Sequence, residues 1–147
     1  MNNPLPTFWV NGERQSSSSL HVSACDRGLT LGDGVFETMR AYGGTVFRLD
    51  LHLARLVHGL TVLEIPVPPE LREWVLEAVR AAGDVSVRLT VTRGVGIAGV
   101  APPVHAHPTA IVAVNPPPLF PATVYALGLT AHVASGRRYE YAMTAGL

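Results

Sequence analysis

Residues 26–56 read DRGLTLGDGVFETMRAYGGTVFRLDLHLARL, and the remainder of the chain is arranged around them. The first nine hold three glycines and three charged residues, namely Asp26, Arg27, Gly28, Gly32, Asp33 and Gly34. Glycines at this density predict a backbone that turns sharply or adopts positive φ. The alternating run Val35–Tyr42, a two-glycine turn and Thr45–Arg48 then predict a β-hairpin that follows the glycine loop.

Helical periodicity begins directly after this hairpin. Asp50 suits the N-cap of a first helix. The apolar stripe of that helix comprises Leu53, Leu56, Val57, Leu60 and Leu63. Pro66–Pro69 ends it and opens a second helix, for which Gly83 suits the C′ position. The stripe of the second helix comprises Leu71, Trp74, Val75, Ala78, Val79 and Ala82.

Strand patterns occupy most of the remaining sequence. The runs that predict strands are Thr7–Asn11, Leu20–Ala24, Val85–Thr92 and Thr109–Asn115. Dense prolines predict a semi-rigid connector over residues 116–122. A new strand is expected to start within Thr123–Ala134. We therefore expect an α+β domain over residues 1–115, the linker, and the start of a truncated second domain over residues 123–147.

The composition excludes several classes of protein. Of the 147 residues, 48% are hydrophobic and 15% are charged, which is typical of a folded globular chain. The net charge is zero and there is no basic stripe, so neither nucleic acid nor a membrane surface is an expected partner. No apolar run approaches the ~20 residues that a transmembrane helix needs. The single cysteine, Cys25, cannot form an internal disulfide, which favours a cytoplasmic location.

The basic residues are of one kind. All 11 are arginines, and lysine is absent. An arginine-favouring genome is the simplest explanation for this bias. Its chemical consequence is that no ε-amine of this chain can form a Schiff base.

Some charged residues and loops allow more than one interpretation. Glu37 and Arg40 lie within a predicted strand, where they form either a solvated face, an internal ion pair or the wall of a pocket. The loop over residues 93–99 is glycine-rich but lacks the GK[ST] ending of a phosphate loop. His105 and His107 could share a metal ion, but no third ligand is suggested, and a plain surface loop is the commoner arrangement.

These elements, in this order, resemble the class IV (fold type IV) pyridoxal-phosphate enzymes. That family holds branched-chain aminotransferases, D-amino-acid aminotransferases and 4-amino-4-deoxychorismate lyases. The matching motifs are Asp26-Arg27-Gly28, Gly32-Asp33-Gly34-Val35-Phe36-Glu37, His52-Leu53-Ala54-Arg55-Leu56, Val10-Asn11-Gly12, Thr92-Arg93-Gly94 and the final Gly136–Leu147 stretch. The resemblance implies the N-terminal domain of the D-amino-acid aminotransferase-like fold, with a mixed or antiparallel sheet, two helices and the first strand of a second domain. It also implies pyridoxal 5′-phosphate as cofactor, a small-molecule substrate and a homodimer.

The resemblance assigns roles to four residues. Arg55 matches the arginine of the H-x-x-R-L element that binds the cofactor phosphate, and a guanidinium on a rigid helix can grip a phosphate through two hydrogen bonds. Phe36 matches the aromatic residue that lines the substrate pocket. Arg93 and His105 lie on the strand and loop that approach the substrate carboxylate in the family. No catalytic residue is expected within the chain, because the family's Schiff-base lysine would come just after Leu147.

Local motifs favour the lyase subclass over the others, although the lyase's R-G-x-G-x-R-G-Y stretch lacks its second arginine and its tyrosine in Arg93–Val100. The G-D-G element resembles the lyases and the D-amino-acid aminotransferases, but the R-x-H pair of the latter is reduced here to Pro103-Val104-His105. The resemblance therefore implies the N-terminal portion of a 4-amino-4-deoxychorismate lyase, which releases pyruvate and 4-aminobenzoate in folate biosynthesis. The alternatives are a class IV aminotransferase, of branched-chain type more than D-amino-acid type, and a non-catalytic self-associating module. The 147-residue chain alone is expected to be inactive.

Overall fold

The computed structural model describes residues 6–16, 20–97, 99–133 and 135–136. The elements within these residues are β1 Thr7–Val10, β2 Glu13–Arg14, α1 Arg27–Leu31, β3 Gly34–Tyr42, β4 Thr45–Val46, α2 Leu49–Val62, α3 Leu71–Val79, β5 Val85–Thr92, β6 Thr109–Asn115 and α4 Ala122–Leu127. The strands form one antiparallel sheet in the order β2-β1-β6-β5-β3-β4. The expected α+β class, with its antiparallel sheet and two main helices, is confirmed.

One face of the sheet carries the hydrophobic core, and α2 and α3 pack against it. Because side chains alternate along a strand, every second residue of β3 faces the helices. These residues are Val35, Glu37, Met39 and Ala41, all of them buried. Leu56 and Leu60 from α2 fill the space above them, and burying each such side chain contributes roughly 1.5–3 kcal/mol. The other residues of β3, including Phe36 and Arg40, point to what we call the second face.

The N-terminal hairpin corrects one expected strand. Asn11 and Gly12 adopt φ values of 47° and 83°, which suits a tight two-residue hairpin turn. The returning strand therefore begins at Glu13 and pairs with β1 at once. The prediction of a strand at Leu20–Ala24 is wrong, because those residues lie in the irregular segment that leads to the glycine loop.

The helix ends also differ from expectation. Arg48, at φ 53°, precedes α2 and makes no side-chain cap, so Asp50 lies inside the first turn and is not the N-cap. The Asp50 carboxylate instead accepts a hydrogen bond from Arg72 of α3. Helix α3 ends at Val79 with a right-handed C-cap residue, so Gly83 lies beyond the expected C′ position.

The segment after the prolines is helical where a strand was expected. Ala122–Leu127 forms the short helix α4, and the described residues from 128 to 133 contain no regular element. A helix pairs its own backbone groups, whereas a strand needs a neighbour, and no described strand pairs with this segment. The A-G-L triplet at 145–147 lies outside the described residues, and the division into two domains stays a prediction. None of the described helices combines the length and apolar character required to cross a bilayer.

Candidate active site

A buried carboxylate brings β3 and α2 together. The Glu37 side chain is 5% exposed and lies on the face of the sheet covered by the helices. Arg55 Nε donates to Glu37 Oε1 and Arg55 Nη2 donates to Oε2, each at 2.5 Å. His52, one turn earlier on α2, places Nδ1 2.8 Å from the same Oε2. Because an ionised carboxylate only accepts hydrogen bonds, His52 Nδ1 carries the proton in this contact.

The charges of this cluster stabilise one another. Burial raises the pKa of the Glu37 carboxyl, but hydrogen bonds from Arg55 and His52 more than offset it, so the pKa lies below its usual value. The hydrogen bonds and charge of Glu37 raise the pKa of Arg55 above its ordinary value. Glu37 and Arg55 therefore form an ionised pair at neutral pH.

Arg55 has donors left over for a second anion. A guanidinium carries five N–H groups, and Glu37 occupies only the edge formed by Nε and Nη2. The Nη1–Nη2 edge donates to no described acceptor, and the Arg55 side chain is 60% exposed. This edge has the two-donor geometry that suits phosphate. The residues present therefore fit a phosphate-bearing ligand at this place.

The second face of the sheet carries two aromatic rings of β3, each in contact with one arginine. Phe36 of β3 lies under the Arg88 guanidinium of β5, 3.5 Å from the ring centroid to Arg88 Cζ. Arg40 lies over Tyr42, at 5.1 Å. No ion pair involves Arg40 or Arg88 within the described part of the chain. Side chains at these positions can therefore offer positive charge to an anionic ligand.

Arg55 and Phe36 lie on opposite sides of β3 but beside the same edge of the sheet. Glu37, the partner of Arg55, follows Phe36 directly in the strand, so the two side chains point to opposite faces. Strand β4 pairs with β3 only at Ala41 and Tyr42. Beside residues 34–39 no described strand pairs on that side, so this part of β3 is an open edge among the described strands.

The glycine-rich loop is held by a second carboxylate. Asp26 is 1% exposed and caps the short helix α1 by accepting from Gly28 N at 2.8 Å. Its other oxygen accepts from Thr92 Oγ1 at 3.0 Å and Thr109 Oγ1 at 2.8 Å. A Cβ at Gly28 would lie 2.1 Å from Thr92 Cγ2, so only glycine fits between loop and strand. The expected glycine loop thus contains a helical turn tied to β5 and β6.

Arg93 is buried in an ion network that joins several loops. Its Nε donates to Asp33 at 2.7 Å, while further N–H groups bond the carbonyl oxygens of Leu63 and Glu64 at 2.7 Å and 3.0 Å. Arg27 Nε bonds the same Asp33 at 2.8 Å and holds residues 99–101 through their carbonyl groups. Four of the five N–H groups of Arg93 are used in these contacts, which join the loops to the end of α2, and its expected approach to the substrate carboxylate stays a prediction.

His105 is exposed, and no hydrogen bond to its side chain is described. The described residues contain no group of three or more side chains placed to hold a metal ion. A cleft of about 390 Å³ lies beside the glycine loop, lined mainly by apolar groups near Cys25 and Arg27. It contains none of Phe36, Arg55, Arg93 and His105.

Sequence reasoning missed Arg88 as a member of the site. The alternation along Val85–Thr92 places Arg88 on the face opposite the core, so the sequence alone predicts the face on which Arg88 lies. Its position over Phe36 depends on the register between β3 and β5, in which Thr38 pairs with Arg88. That register is a long-range property that a single strand pattern does not contain.

Comparison with known proteins gives a consistent result. The family model described as amino-transferase class IV matches residues 34–144. A putative branched-chain-amino-acid aminotransferase of Methanocaldococcus jannaschii is 41% identical over 118 residues, which cover 76% of this chain and 41% of the relative.

Solved structures show the same similarity. The 4-amino-4-deoxychorismate lyase of Pseudomonas aeruginosa superposes with a TM-score of 0.74 at 40% identity, covering 82% of this chain and 43% of that one. A hypothetical aminotransferase from Mycobacterium tuberculosis in its PLP-bound form superposes with a TM-score of 0.65 at 28% identity, covering 77% of this chain and 40% of that one. The chain thus spans about two fifths of the length of these relatives.

Proposed function

The chain belongs to the class IV aminotransferase family, and we propose that it supplies the N-terminal part of a pyridoxal 5′-phosphate enzyme. The observation that carries this proposal is the arrangement of Arg55, held by Glu37 on one edge and free on the other. The free edge binds the cofactor phosphate. Similarity to a PLP-bound aminotransferase supports the same cofactor.

The bound cofactor supplies an electron sink for the pair released at the substrate α-carbon. The residues of this chain bind and orient. Arg55 anchors the phosphate, and Phe36 forms a wall of the substrate pocket on the second face of the sheet. No residue here can serve as the cofactor-binding lysine, because the sequence has none.

We propose 4-amino-4-deoxychorismate lyase as the reaction of the intact protein, yielding pyruvate and 4-aminobenzoate for folate synthesis. Both products carry a carboxylate, so the substrate carries two negative charges. Arg88 lies over Phe36, and Arg40 lies over Tyr42 further along the same face, so that face carries two cations for which no ion pair is seen among the described residues. The similarity to the Pseudomonas aeruginosa lyase supports this choice. We further propose a cytoplasmic homodimer with His105 near the substrate carboxylate.

An amino-acid aminotransferase is the second candidate, favoured by the similarity to the Methanocaldococcus jannaschii relative. A steady-state assay on protein that contains this chain with a lysine-bearing cofactor domain separates the two. Release of pyruvate from aminodeoxychorismate without an amino acceptor supports the lyase. Activity that depends absolutely on 2-oxoglutarate rejects the lyase in favour of the aminotransferase.

A further inference from the structure

We propose that Glu37 is a positioning residue, which fixes the Arg55 guanidinium so that its free two-donor edge faces an incoming phosphate. The inference rests on the proposed role of Arg55 as phosphate ligand. It assigns to a buried side chain of β3 the task of orienting an exposed side chain of α2.

The first support is the difference in burial between the two groups. Glu37 is 5% exposed, and its backbone pairs with Leu89 in the middle of the sheet. The backbone from which its carboxylate extends is therefore held in one position. Arg55 is 60% exposed and has four rotatable side-chain bonds that would otherwise leave its guanidinium free to sample many orientations. Two parallel hydrogen bonds to one carboxylate fix both the place and the plane of the guanidinium.

The second support is His52, which holds the carboxylate itself. Its Nδ1 lies 2.8 Å from Glu37 Oε2, the oxygen that also accepts from Arg55 Nη2. Rotation of the carboxylate would break this contact and one of the bonds to Arg55. His52 and Arg55 are one turn apart on α2, so both can contact the same carboxylate. Three hydrogen bonds from α2 therefore fix the orientation of the Glu37 carboxylate.

Charge alone does not explain Glu37. A carboxylate beside the arginine lowers the positive charge that an anion meets, and it repels phosphate across the width of the guanidinium. Its benefit to phosphate binding is therefore geometric. The repulsion between Glu37 and phosphate is weakened by salt, because dissolved ions screen it. The orientation of the Arg55 guanidinium by Glu37 does not depend on salt in this way.

The test measures binding of pyridoxamine 5′-phosphate and of pyridoxamine to the full chain, at about 0.1 M and about 1 M sodium chloride, where the Debye length is about 10 Å and 3 Å. Glu37→Asp keeps the charge but is too short to span Nε and Nη2 in the present position. We expect it to weaken binding of the phosphate-bearing probe roughly three- to tenfold, the effect of freeing one long side chain. Glu37→Gln is expected to show a comparable loss at high salt. Asp50→Asn, which removes an exposed carboxylate of α2, is the matched control and should stay within about twofold.

Two outcomes separate this inference from the proposed function. If Arg55→Gln abolishes the preference for the phosphate-bearing probe while Glu37→Asp and Glu37→Gln bind like the wild type, the positioning role is overturned and the function stands. If the wild type binds both probes equally, phosphate binding by Arg55 fails and the positioning role fails with it.

A measurement on the wild type covers the case in which the Glu37 variants unfold. We expect the Arg55 Nε–H signal in NMR to exchange with solvent at least tenfold more slowly than that of the exposed Arg80, before and after saturation with inorganic phosphate. Equal exchange rates for Arg55 and Arg80, or loss of the protection when phosphate binds, would overturn the proposal.

Discussion

Arg93 Nε lies 2.7 Å from Asp33 Oδ2, and this contact joins the end of β5 to the glycine loop. Asp33 also accepts from Arg27, while Arg93 bonds two carbonyl groups at the end of α2. The D-R-G and G-D-G motifs therefore act here as parts of one buried network that holds the loops beside β3.

Replacement of Arg93 by methionine is expected to destabilise the chain by about 3 kcal/mol, because it leaves Asp33 with one cation and two carbonyl groups without a donor. Equilibrium unfolding in urea measures the loss. Arg80→Met removes an exposed i,i+3 pair with Glu77 and should cost less than about 1 kcal/mol. Equal effects of the two substitutions would contradict the structural role of Arg93.

The stability of the chain is expected to fall in acid. Burial raises the pKa of Asp33, but hydrogen bonds from Arg93 and Arg27 bring it below its usual value, and Glu37 behaves likewise with Arg55 and His52. At a pH near the unfolded pKa values, the unfolded chain binds more protons than the folded chain, so stability rises with pH there. The contribution is complete above about pH 5 and is lost as pH falls through the lowered folded values.

Urea unfolding between pH 7 and pH 3 measures how the free energy of unfolding changes with pH. The Asp33→Asn variant should show a smaller change over this range. An unchanged slope in that variant would show that Asp33 is not responsible. Asp50→Asn, in an exposed pair, is the appropriate control.

Alanine at Gly94 is expected to destabilise the fold strongly, by several kcal/mol. The residue has φ +85°, and a Cβ there would lie 1.8 Å from the carbonyl oxygen of His107. Gly83 has no heavy atom within 4 Å of an added Cβ, so Gly83→Ala should be neutral or slightly stabilising. Thermal unfolding of both variants compares them directly, and a Gly94→Ala protein as stable as Gly83→Ala would refute the packing described.

The chain alone is expected to form no covalent adduct with pyridoxal 5′-phosphate except at its N-terminal amine, because it contains no lysine. Borohydride reduction followed by peptide mass spectrometry locates any adduct. A pyridoxyl group on an internal residue would disprove this expectation.

Period-two alternation was sufficient to predict β3 and β5, and a short apolar run was sufficient to predict β6. The prediction of a strand at Leu20–Ala24 failed although its residues suit a strand. The tight turn at Asn11 and Gly12 lets Glu13 and Arg14 pair with β1, so β1 needs no partner from Leu20–Ala24. Ala122–Leu127 fails for a related reason, since strand formation depends on partners that local sequence does not reveal.

The candidate site was predictable only in part. The motif identified Arg55 and Phe36, yet the partner of Arg55 is 18 residues away in another element. The family motif suggested a ligand role for Arg93, which stays a prediction, but it did not reveal that Arg93 bonds residues 29, 30 and 60 positions away. Such long-range contacts depend on how the elements pack together, and the periodicity of a single element does not predict them.

The most direct measurement is the affinity of the chain for pyridoxamine 5′-phosphate relative to pyridoxamine, in the wild type and in Arg55→Gln. We predict that the wild type prefers the phosphate-bearing molecule by roughly tenfold or more, the effect of a charge-assisted hydrogen-bonded pair, and that Arg55→Gln removes this preference without lowering the thermal midpoint substantially. A preference for the phosphate-bearing molecule that is undiminished in Arg55→Gln would contradict the assignment of Arg55 as the phosphate ligand.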